Sequence, residues 1–483
     1  MPGGASKGKV KKHFKAKHQK KRVFRSSDPV ISVFMWGVNH TVNELVRHAG
    51  DTVLLLPDDF KAFSKIRVEN QYYNKEYLPG HFKFKEYCPL VFHDLRRRFQ
   101  MDEMEYLNSL SNAAPVSSDS PGKSDARFFT AYDKKLVIKS LTSEEVALVH
   151  HILREYHAHV VTTEGQTLLP QYLGMYRITV NGAETYLMVM RNVFSSRLKM
   201  HKKYDLKGST VARAASNKEK EKSSPTFKDN DFIHINEKVF VGEEQKLKLL
   251  KALEADVKLL EKLHLMDYSL LVGINDCILT AEDGDDSDAE SNDGLDKNGY
   301  ASSDDGLGSP ITPGSFVDPA DMLEVTSSDQ QVVSKKSGSG DDSKDEGNDL
   351  SPEPPGAFAV LPGDQSSGKG SGPGSGQLKS TSSPLHVDPA VVVGSKAVEA
   401  AYQEGKFPVV DKTVDVYALQ SSSDAKPQIY YMAIIDVLTV YGARKRAAHA
   451  AKTFKTRQGG EISTVNPELY ARRFLEFMTK IME

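Results

Sequence analysis

Apolar positions between residues 128 and 190 follow two periods, which predicts a small lobe of antiparallel strands around one helix. Three runs alternate as strands do: Phe128–Lys139, ending in the strand Leu136–Lys139, then Tyr172–Val180 and Glu184–Met190. The last two runs are joined through Asn181-Gly182, a strong hairpin signal. The capping-box pair Thr142 and Glu145 predicts a helix whose apolar face holds Val146, Val149, Leu153 and Tyr156.

The same periods predict further helices on both sides of this lobe. Asp28 and Pro29 suit the N-cap and first position of a helix with apolar residues at Val30, Val33, Phe34 and Val38. A helix within Phe82–Phe99 should bury Val91, Phe92 and Leu95 and leave Arg96, Arg97 and Arg98 solvated. Leu249, Leu250, Leu253, Val257 and Leu260 form one face of a helix over Lys246–Leu263. Asn466-Pro467 opens a last helix, with Tyr470, Phe474, Phe477 and Ile481 spaced 4, 3 and 4.

Short apolar runs predict three more strands. Val53–Leu56 is one, ended by Pro57; Ser269–Ile274 follows Asp267, and Ile429–Ile435 ends at Asp436. Between the last two lie about 125 residues rich in Ser, Gly, Pro and Asp, with few aromatics. This composition predicts a disordered acidic insert.

Charge is strongly segregated along the 483 residues, although the formal net charge is only −2. Ten Lys or Arg and no acid lie between Lys7 and Arg25, and six lie between Val437 and Gly460, again with no acid. Such local charge can draw a nearly neutral protein to an anionic surface. No apolar stretch is long enough to span a bilayer, so membrane contact is expected to be peripheral. Two cysteines, too few for a disulfide framework, suit a reducing compartment.

Three charged residues at or beside the strands have the types that phosphoryl transfer needs. Lys139 ends one strand, Asp267 precedes another and Asp436 ends a third. A lysine can hold nucleotide phosphates, one aspartate can accept or orient a hydroxyl proton, and another can hold magnesium. The order of lysine, helix, hairpin hinge and two aspartates is that of protein kinases, but G-x-G-x-x-G, H-R-D and D-F-G are missing. Generic motifs therefore indicate only a kinase-like fold.

Longer motifs resemble the signature set of the phosphatidylinositol phosphate kinases. They are Y-D-L-K-G-S at 204–209, M-D-Y-S-L-L-V-G at 266–273 and I-I-D at 434–436. Four further stretches are similar to the type II branch, the phosphatidylinositol 5-phosphate 4-kinases: W-G-V-N-H at 36–40, L-P-D-D-F-K at 56–61, H-F-K-F-K-E-Y-C at 81–88 and E-I-S-T-V-N-P at 461–467. The resemblance covers nearly everything outside the basic arm and the insert.

The resemblance implies an α+β fold, two-lobed and distantly protein-kinase-like, with antiparallel sheets, flanking helices and the long insert. Residues 1–26 would be a disordered basic arm, and 27–190 an N-terminal lobe with a dimerisation region and the nucleotide-binding sheet. Residues 191–276 and 412–483 would form the C-terminal catalytic lobe, with the disordered insert at 277–411.

The resemblance also assigns roles to individual residues. Lys139 would bind phosphate, Asp267 would be the catalytic-loop aspartate and Asp436 would bind magnesium. Nucleotide contacts are implied for Arg191, Asn192, Val193, Phe194 and Lys203. Substrate contacts are implied for Lys207, Arg213, Lys445, Arg446, Ala448, His449 and Lys452. The acid that pairs with Lys139 is left open between Glu144 and Glu145, either of which could simply favour the helix N-terminus.

The last five of these substrate residues lie in the segment that selects the lipid in this family. Type I enzymes, which phosphorylate the 5-hydroxyl, have a glutamate before the histidine, whereas type II enzymes have alanine, as at Ala448. Lys and Arg in this loop would meet inositol phosphates. A solvated basic helix or a nuclear-localisation patch is the alternative interpretation. Nucleic acid is not expected as a partner, because no nucleic-acid-binding motif accompanies the charge.

Two departures from the family pattern bear on activity. Asp125 stands where active type II members have glycine in the nucleotide loop, and it adds a Cβ and a negative charge, so reduced turnover is expected. Met190 stands where some members have threonine, so ATP is favoured and GTP less so. The alternative function is a weakly active phosphoinositide-binding scaffold that modulates type I kinases.

The expected reaction is transfer of the ATP γ-phosphoryl to the 4-hydroxyl of phosphatidylinositol 5-phosphate, giving phosphatidylinositol 4,5-bisphosphate, with Mg²⁺ as cofactor. The resemblance implies a homodimer through the N-terminal region, and heteromeric contact with related lipid kinases is a further expectation. The expected location is cytoplasmic and peripheral on plasma or internal membranes, with a nuclear fraction.

Overall fold

The computed structural model of the chain describes residues 26–48, 54–71, 75–118, 126–281, 400–403, 405–442 and 465–483. The predicted basic arm and most of the predicted insert lie outside these ranges. Within them the chain forms two compact units: residues 26–146 and 152–196 belong to the first, and residues 147–151 with those from 197 onwards belong to the second. No helix of the described residues is long and apolar enough to cross a membrane.

A seven-stranded sheet organises the first unit, and every strand pair in it is antiparallel. Its order is β1-β2-β6-β7-β5-β4-β3. The strands are β1 Phe63–Glu69, β2 His81–Tyr87, β3 Val116–Ser118, β4 Phe128–Thr130, β5 Leu136–Leu141, β6 Tyr172–Val180 and β7 Ala183–Arg191. The predicted hairpin is confirmed. Asn181 and Gly182 both have positive φ, 50° and 81°, as a tight two-residue turn requires.

Four α-helices accompany this sheet: α1 Pro29–His48, α2 Pro89–Arg98, α3 Glu103–Ser111 and α4 Ser143–Thr162. The start of α1 is confirmed, because the Asp28 carboxylate accepts a hydrogen bond from the Val30 amide at 2.9 Å. The capping box of α4 is also confirmed. The Thr142 hydroxyl accepts from the Glu145 amide at 3.2 Å, and Glu145 Oε2 accepts from the Thr142 amide at 2.9 Å.

Val53 lies outside the described residues, and the strand predicted at Val53–Leu56 is wrong over the other three positions. Leu54–Leu56 has no strand partner and leads into a 3₁₀ helix at Pro57–Phe60. Leu54 and Leu56 are 84% and 58% exposed. An apolar run alone does not make a strand, because a strand needs a neighbour to satisfy its backbone hydrogen bonds.

Arg96 was predicted to be solvated, and this is also wrong. Its side chain is fully buried, with Nε 2.8 Å from Glu103 Oε1 and Nη1 2.7 Å from the Leu173 carbonyl oxygen. The guanidinium also lies over the Tyr106 ring, 4.6 Å from its centroid. A buried charge is tolerated when it is paired and hydrogen-bonded in this way. Burial acts to lower the pKa of Arg96, but Glu103, Tyr106 and Tyr176 together outweigh it and raise that pKa.

A five-stranded sheet, ordered β11-β12-β10-β8-β9, organises the second unit. All its pairs are antiparallel except β8 with β9. The strands are β8 Lys202–Leu206, β9 Thr226–Lys228, β10 Ser269–Asp276, β11 Ala418–Gln420 and β12 Gln428–Ile435. Its helices include α5 Asn217–Lys220, α6 Asp229–His234, α7 Gly242–Lys262 and α8 Pro467–Ile481. The predicted strands at Ser269 and Ile429 and the two predicted long helices are confirmed, as is the α+β class.

Both cysteines are expected to be unreactive in the folded protein. Cys88 and Cys277 are fully buried, and burial raises the pKa of the Cys88 thiol to about 12 and that of Cys277 to about 11. Because the thiolate is the reactive species, Ellman's reagent at pH 8 should label neither residue before unfolding and both in urea. Fast labelling of the native protein would contradict this burial.

Candidate active site

Three neighbouring strands of the second unit have one terminus each at the same end of the sheet: β8 and β12 end there and β10 begins there. A charged residue lies close to each of these termini. Leu206 pairs with Leu270, and Ser269 pairs with Ile435. Lys207 follows β8, Asp267 lies two residues before β10, and Asp436 follows β12. Because the strands are antiparallel neighbours, this register places the three residues at the same edge. The two predicted aspartates are therefore brought together with a predicted substrate residue.

Both aspartates have a backbone conformation that is uncommon for residues with a side chain. The φ of Asp267 is 67° and that of Asp436 is 60°. Left-handed backbone is several-fold enriched in Asp and Asn, and it costs free energy that the surrounding structure must offset. Backbone of this kind clusters at functional sites.

Asp267 is held by Lys207. The Lys207 amine donates to the main-chain carbonyl of Asp267 at 2.5 Å and to Asp267 Oδ1 at 2.8 Å. The Lys207 side chain is 14% exposed and that of Asp267 is 28% exposed. One ammonium thus fixes both the backbone and the carboxylate, while the carboxylate stays accessible from solvent. Such an arrangement can present a carboxylate oxygen to a substrate hydroxyl.

Asp229 fixes the segment that carries Lys207, and sequence reasoning missed it. It is fully buried, and Oδ1 accepts from the amides of Lys207 at 2.9 Å, Gly208 at 2.7 Å and Ser209 at 3.3 Å. Oδ2 accepts from Arg213 Nε at 2.7 Å. Asp229 lies about twenty residues further along the chain, at the start of a six-residue helix, and no local pattern marks this long-range contact.

Arg213 was predicted to contact substrate, but its guanidinium is occupied within the protein. Besides Asp229, it donates from Nη2 to Asp205 Oδ1 at 3.0 Å and to the Asp205 main-chain carbonyl. Burial acts to lower the pKa of Arg213, but Asp205 and Asp229 outweigh it and raise that pKa. The observed contacts therefore link β8 to the loop that follows it.

Gly208 is required by close packing as well as by its backbone. Its φ is +66°, and a Cβ there would lie 3.0 Å from the Arg473 carbonyl oxygen and 3.2 Å from the Phe474 Cα. We expect Gly208→Ala to cost about 1–2 kcal/mol for the left-handed backbone, plus the cost of moving α8, and to reduce turnover. Gly182→Ala is the matched control, since φ is +81° but nothing lies within 4 Å of the added Cβ. Urea unfolding and turnover check this, and equal effects would contradict it.

The Asp436 carboxylate is exposed, and it has no hydrogen-bond or ion-pair partner among the residues that the structure describes. Those residues contain no group of three or more His, Cys, Asp or Glu side chains that could hold a metal. Magnesium in phosphotransferases is held by one or two carboxylates together with substrate phosphates, so an accessible, uncommitted aspartate fits this ion. The metal-binding role predicted for Asp436 stays a prediction.

Lys139 belongs to the first unit, on β5, and its partner is Glu145. The Lys139 amine donates to Glu145 Oε1 at 3.2 Å, and the side chains are 14% and 24% exposed. This answers the question that the sequence left open between Glu144 and Glu145. Glu145 both caps α4 and orients the lysine, one oxygen for each task. A lysine paired with a glutamate of the following helix is also how protein kinases hold their phosphate-binding lysine.

The predicted purine-binding segment follows β7 in the first unit. Two of its amides are already used: Arg191 donates to the Gln171 carbonyl at 3.2 Å and Asn192 to the Lys135 carbonyl at 2.8 Å. The Arg191 guanidinium also bonds Gln171 Oε1 at 2.6 Å and the Phe99 carbonyl at 2.8 Å. Within the described ranges, the backbone of Val193 has no hydrogen-bond partner. Of this segment, Val193 is therefore the best candidate for a backbone contact to a base.

Lys203 lies on β8, in the second unit, between β9 and β10. Burial lowers the pKa of its amine, an effect that Glu219 partly offsets. The predicted lipid-selecting residues Lys445, Arg446, Ala448, His449 and Lys452 lie outside the described residues, as does Asp125.

A lysine-bound carboxylate and a second, uncommitted carboxylate at neighbouring strand ends are residue types that phosphoryl transfer uses. The family model for phosphatidylinositol-4-phosphate 5-kinase matches residues 109–481. Phosphatidylinositol 5-phosphate 4-kinase type-2 beta of Rattus norvegicus is 45% identical over 473 residues, covering 98% of this chain and 94% of the relative. The type-2 alpha protein of Gallus gallus is also 45% identical, over 480 residues, covering 99% and 97%. The chain belongs to the phosphatidylinositol phosphate kinase family, a family of lipid kinases.

Proposed function

We propose that this protein transfers the γ-phosphoryl group of ATP to the 4-hydroxyl of phosphatidylinositol 5-phosphate, giving phosphatidylinositol 4,5-bisphosphate. The observation that carries this proposal is the 45% identity, over nearly the whole length of both chains, to relatives named as phosphatidylinositol 5-phosphate 4-kinases. Ala448 supports the type II specificity, because type I enzymes have glutamate at the corresponding position.

The proposed roles are based on the contacts and the exposure of each described side chain. Asp267, oriented by Lys207, would accept the proton of the lipid hydroxyl. Lys139, oriented by Glu145, would bind nucleotide phosphate. Asp436 would hold Mg²⁺, which when bound neutralises charge on the phosphates. ATP is the expected donor, and GTP is less favoured because Met190 has no hydroxyl to meet a base.

The enzyme would act peripherally on plasma or internal membranes. Each Lys or Arg near an anionic leaflet contributes on the order of 1 kcal/mol, and six lie between Val437 and Gly460. A homodimer would double such contacts. The N-terminal unit offers an edge for it, because β1 pairs only with β2 among the described strands and its outer side is a seven-residue edge.

The test is a lipid-specificity assay. The full chain is incubated with ATP, Mg²⁺ and vesicles that carry each of the three monophosphorylated phosphoinositides in turn. Phosphatidylinositol 5-phosphate should be the preferred substrate, and the product should carry phosphate on the 4-hydroxyl. Preference for phosphatidylinositol 4-phosphate, with phosphorylation of the 5-hydroxyl, would refute the type II assignment.

A second candidate function is favoured by Asp125, which stands where active type II members have glycine. Its charge beside nucleotide phosphates should weaken ATP binding, so the protein would act chiefly as a phosphoinositide-binding scaffold that restrains related lipid kinases. Asp125→Gly should then raise turnover by about tenfold or more, the equivalent of about 1.4 kcal/mol. Unchanged turnover would show that the wild-type loop is competent and would remove the motive for a scaffold.

A further inference from the structure

The C-terminal helix α8 supports the segment that carries Asp267. Tyr470 is fully buried, and its hydroxyl donates a hydrogen bond to the main-chain carbonyl of Tyr268. The Tyr268 ring meets the Tyr470 ring edge-on at 4.7 Å and the Phe474 ring at 5.1 Å between centroids. The residue after Asp267 is thus packed against α8 by its ring and bonded to it by its carbonyl.

The same helix also supports the segment that carries Lys207. Gly208 packs so closely on the backbone of Arg473 and Phe474 that a Cβ there would lie only 3.0–3.2 Å from it. Lys207 and Asp267 form an ion pair, and each is followed in the chain by a residue that contacts the same turn of α8: Gly208 after Lys207 and Tyr268 after Asp267. A displacement of α8 would therefore move the amine and the carboxylate together.

Hydrogen bonds bracket Asp267 along the chain. On its N-terminal side the Met266 amide donates to the Thr439 carbonyl at 2.9 Å, and on its C-terminal side the Tyr268 carbonyl accepts from Tyr470. Between them Asp267 holds φ at 67°. A left-handed aspartate persists only where its surroundings over-determine it, and these two bonds supply that constraint.

We propose that Tyr470 is a positioning residue for phosphoryl transfer. Its hydroxyl fixes the main chain next to Asp267 and so keeps the carboxylate aimed at the substrate hydroxyl. This inference rests on the proposed function, because it takes Asp267 as the proton acceptor. Small errors in the placement of reacting groups lower turnover steeply, whereas they affect ground-state binding less.

Tyr470→Phe tests this by removing one hydroxyl and keeping the ring. Tyr430→Phe is the matched control. Tyr430 is also fully buried, its hydroxyl donates to Gln428 Oε1 at 3.0 Å and accepts from the Phe240 amide at 3.2 Å, and it lies towards the opposite edge of the same sheet. Tyr430→Phe, which removes two hydrogen bonds, should lose at least as much stability as Tyr470→Phe, which removes one. Only Tyr470→Phe should lower kcat, by about 10- to 100-fold, with the KM values for ATP and lipid changed less than about twofold.

Hydrogen exchange supplies a readout that does not depend on activity. In Tyr470→Phe, amides of residues 264–272 should exchange faster than in the wild type, and in Tyr430→Phe they should not. Equal losses of kcat in the two variants, or unchanged exchange in Tyr470→Phe, would overturn the positioning role. A wild-type protein that phosphorylates no phosphoinositide would instead refute the proposed function, and the exchange measurement would still decide whether Tyr470 constrains Asp267.

Discussion

Asp436→Asn is expected to lower lipid kinase turnover by at least about 1,000-fold while leaving lipid binding unchanged. The asparagine keeps the size of the side chain and loses the charge with which the proposed magnesium site attracts its ion. Asp436 is exposed and uncommitted among the described residues, so the substitution breaks no contact seen in the structure and should not destabilise the fold. Because catalysis of phosphoryl transfer is mostly positioning and charge neutralisation, loss of the metal-binding carboxylate removes most of the rate.

The control for this substitution is Asp424→Asn. Asp424 is another exposed aspartate of the same unit, and it precedes β12 where Asp436 follows it. It should retain full turnover. Co-sedimentation with vesicles containing phosphatidylinositol 5-phosphate should be the same for both variants and the wild type. Turnover of Asp436→Asn within about tenfold of the wild type would refute the magnesium assignment.

Arg96→Met is expected to have the largest effect on stability, a loss of about 3–5 kcal/mol in the free energy of unfolding. The methionine fills the space but leaves the Glu103 carboxylate, 15% exposed, without its main cationic partner. Removing one member of a buried ion pair is strongly destabilising, because the remaining charge stays desolvated. The Leu173 carbonyl loses its donor as well.

Arg97→Met is the matched control, since it is the next residue of the same helix. Its side chain is 46% exposed, and its buried partner Asp94 also pairs with Arg98 and His157, so its removal should cost only about 0–1 kcal/mol. Trp36 is the only tryptophan and is buried in α1, so its fluorescence in a urea titration reports the first unit. The double variant Arg96→Met/Glu103→Gln should recover part of the loss. Equal destabilisation by Arg96→Met and Arg97→Met would contradict the buried ion pair.

Local patterns predicted most of the secondary structure. The hairpin at Asn181-Gly182, the capping box at Thr142 and Glu145, and the positions of Lys139, Asp267 and Asp436 at or beside strands all depend on residues within a few positions of one another. Such signals are visible in one sequence. The edge that collects Asp267, Asp436 and Lys207 needed the strand register in addition, which the structure supplies.

Contacts between distant residues could not be predicted in the same way. Arg96 is followed in the sequence by two more arginines, which is typical of a solvated helix position. Its burial depends instead on Glu103 in the next helix and Leu173 on β6. Asp229 looks like an ordinary acid at a helix start, yet it binds three amides about twenty residues earlier. In both cases the side chain satisfies groups that only the folded chain brings near.

The two carboxylate oxygens of Glu145 bind different partners, and this affects how a nucleotide would bind at Lys139. One oxygen holds the amide of Thr142 and the other holds the Lys139 amine. If phosphate draws the lysine away, the first oxygen keeps its bond, so the start of the helix need not rearrange. Lys139 can then exchange its bond to Glu145 for a bond to the phosphate, while the first turn of α4 keeps its cap.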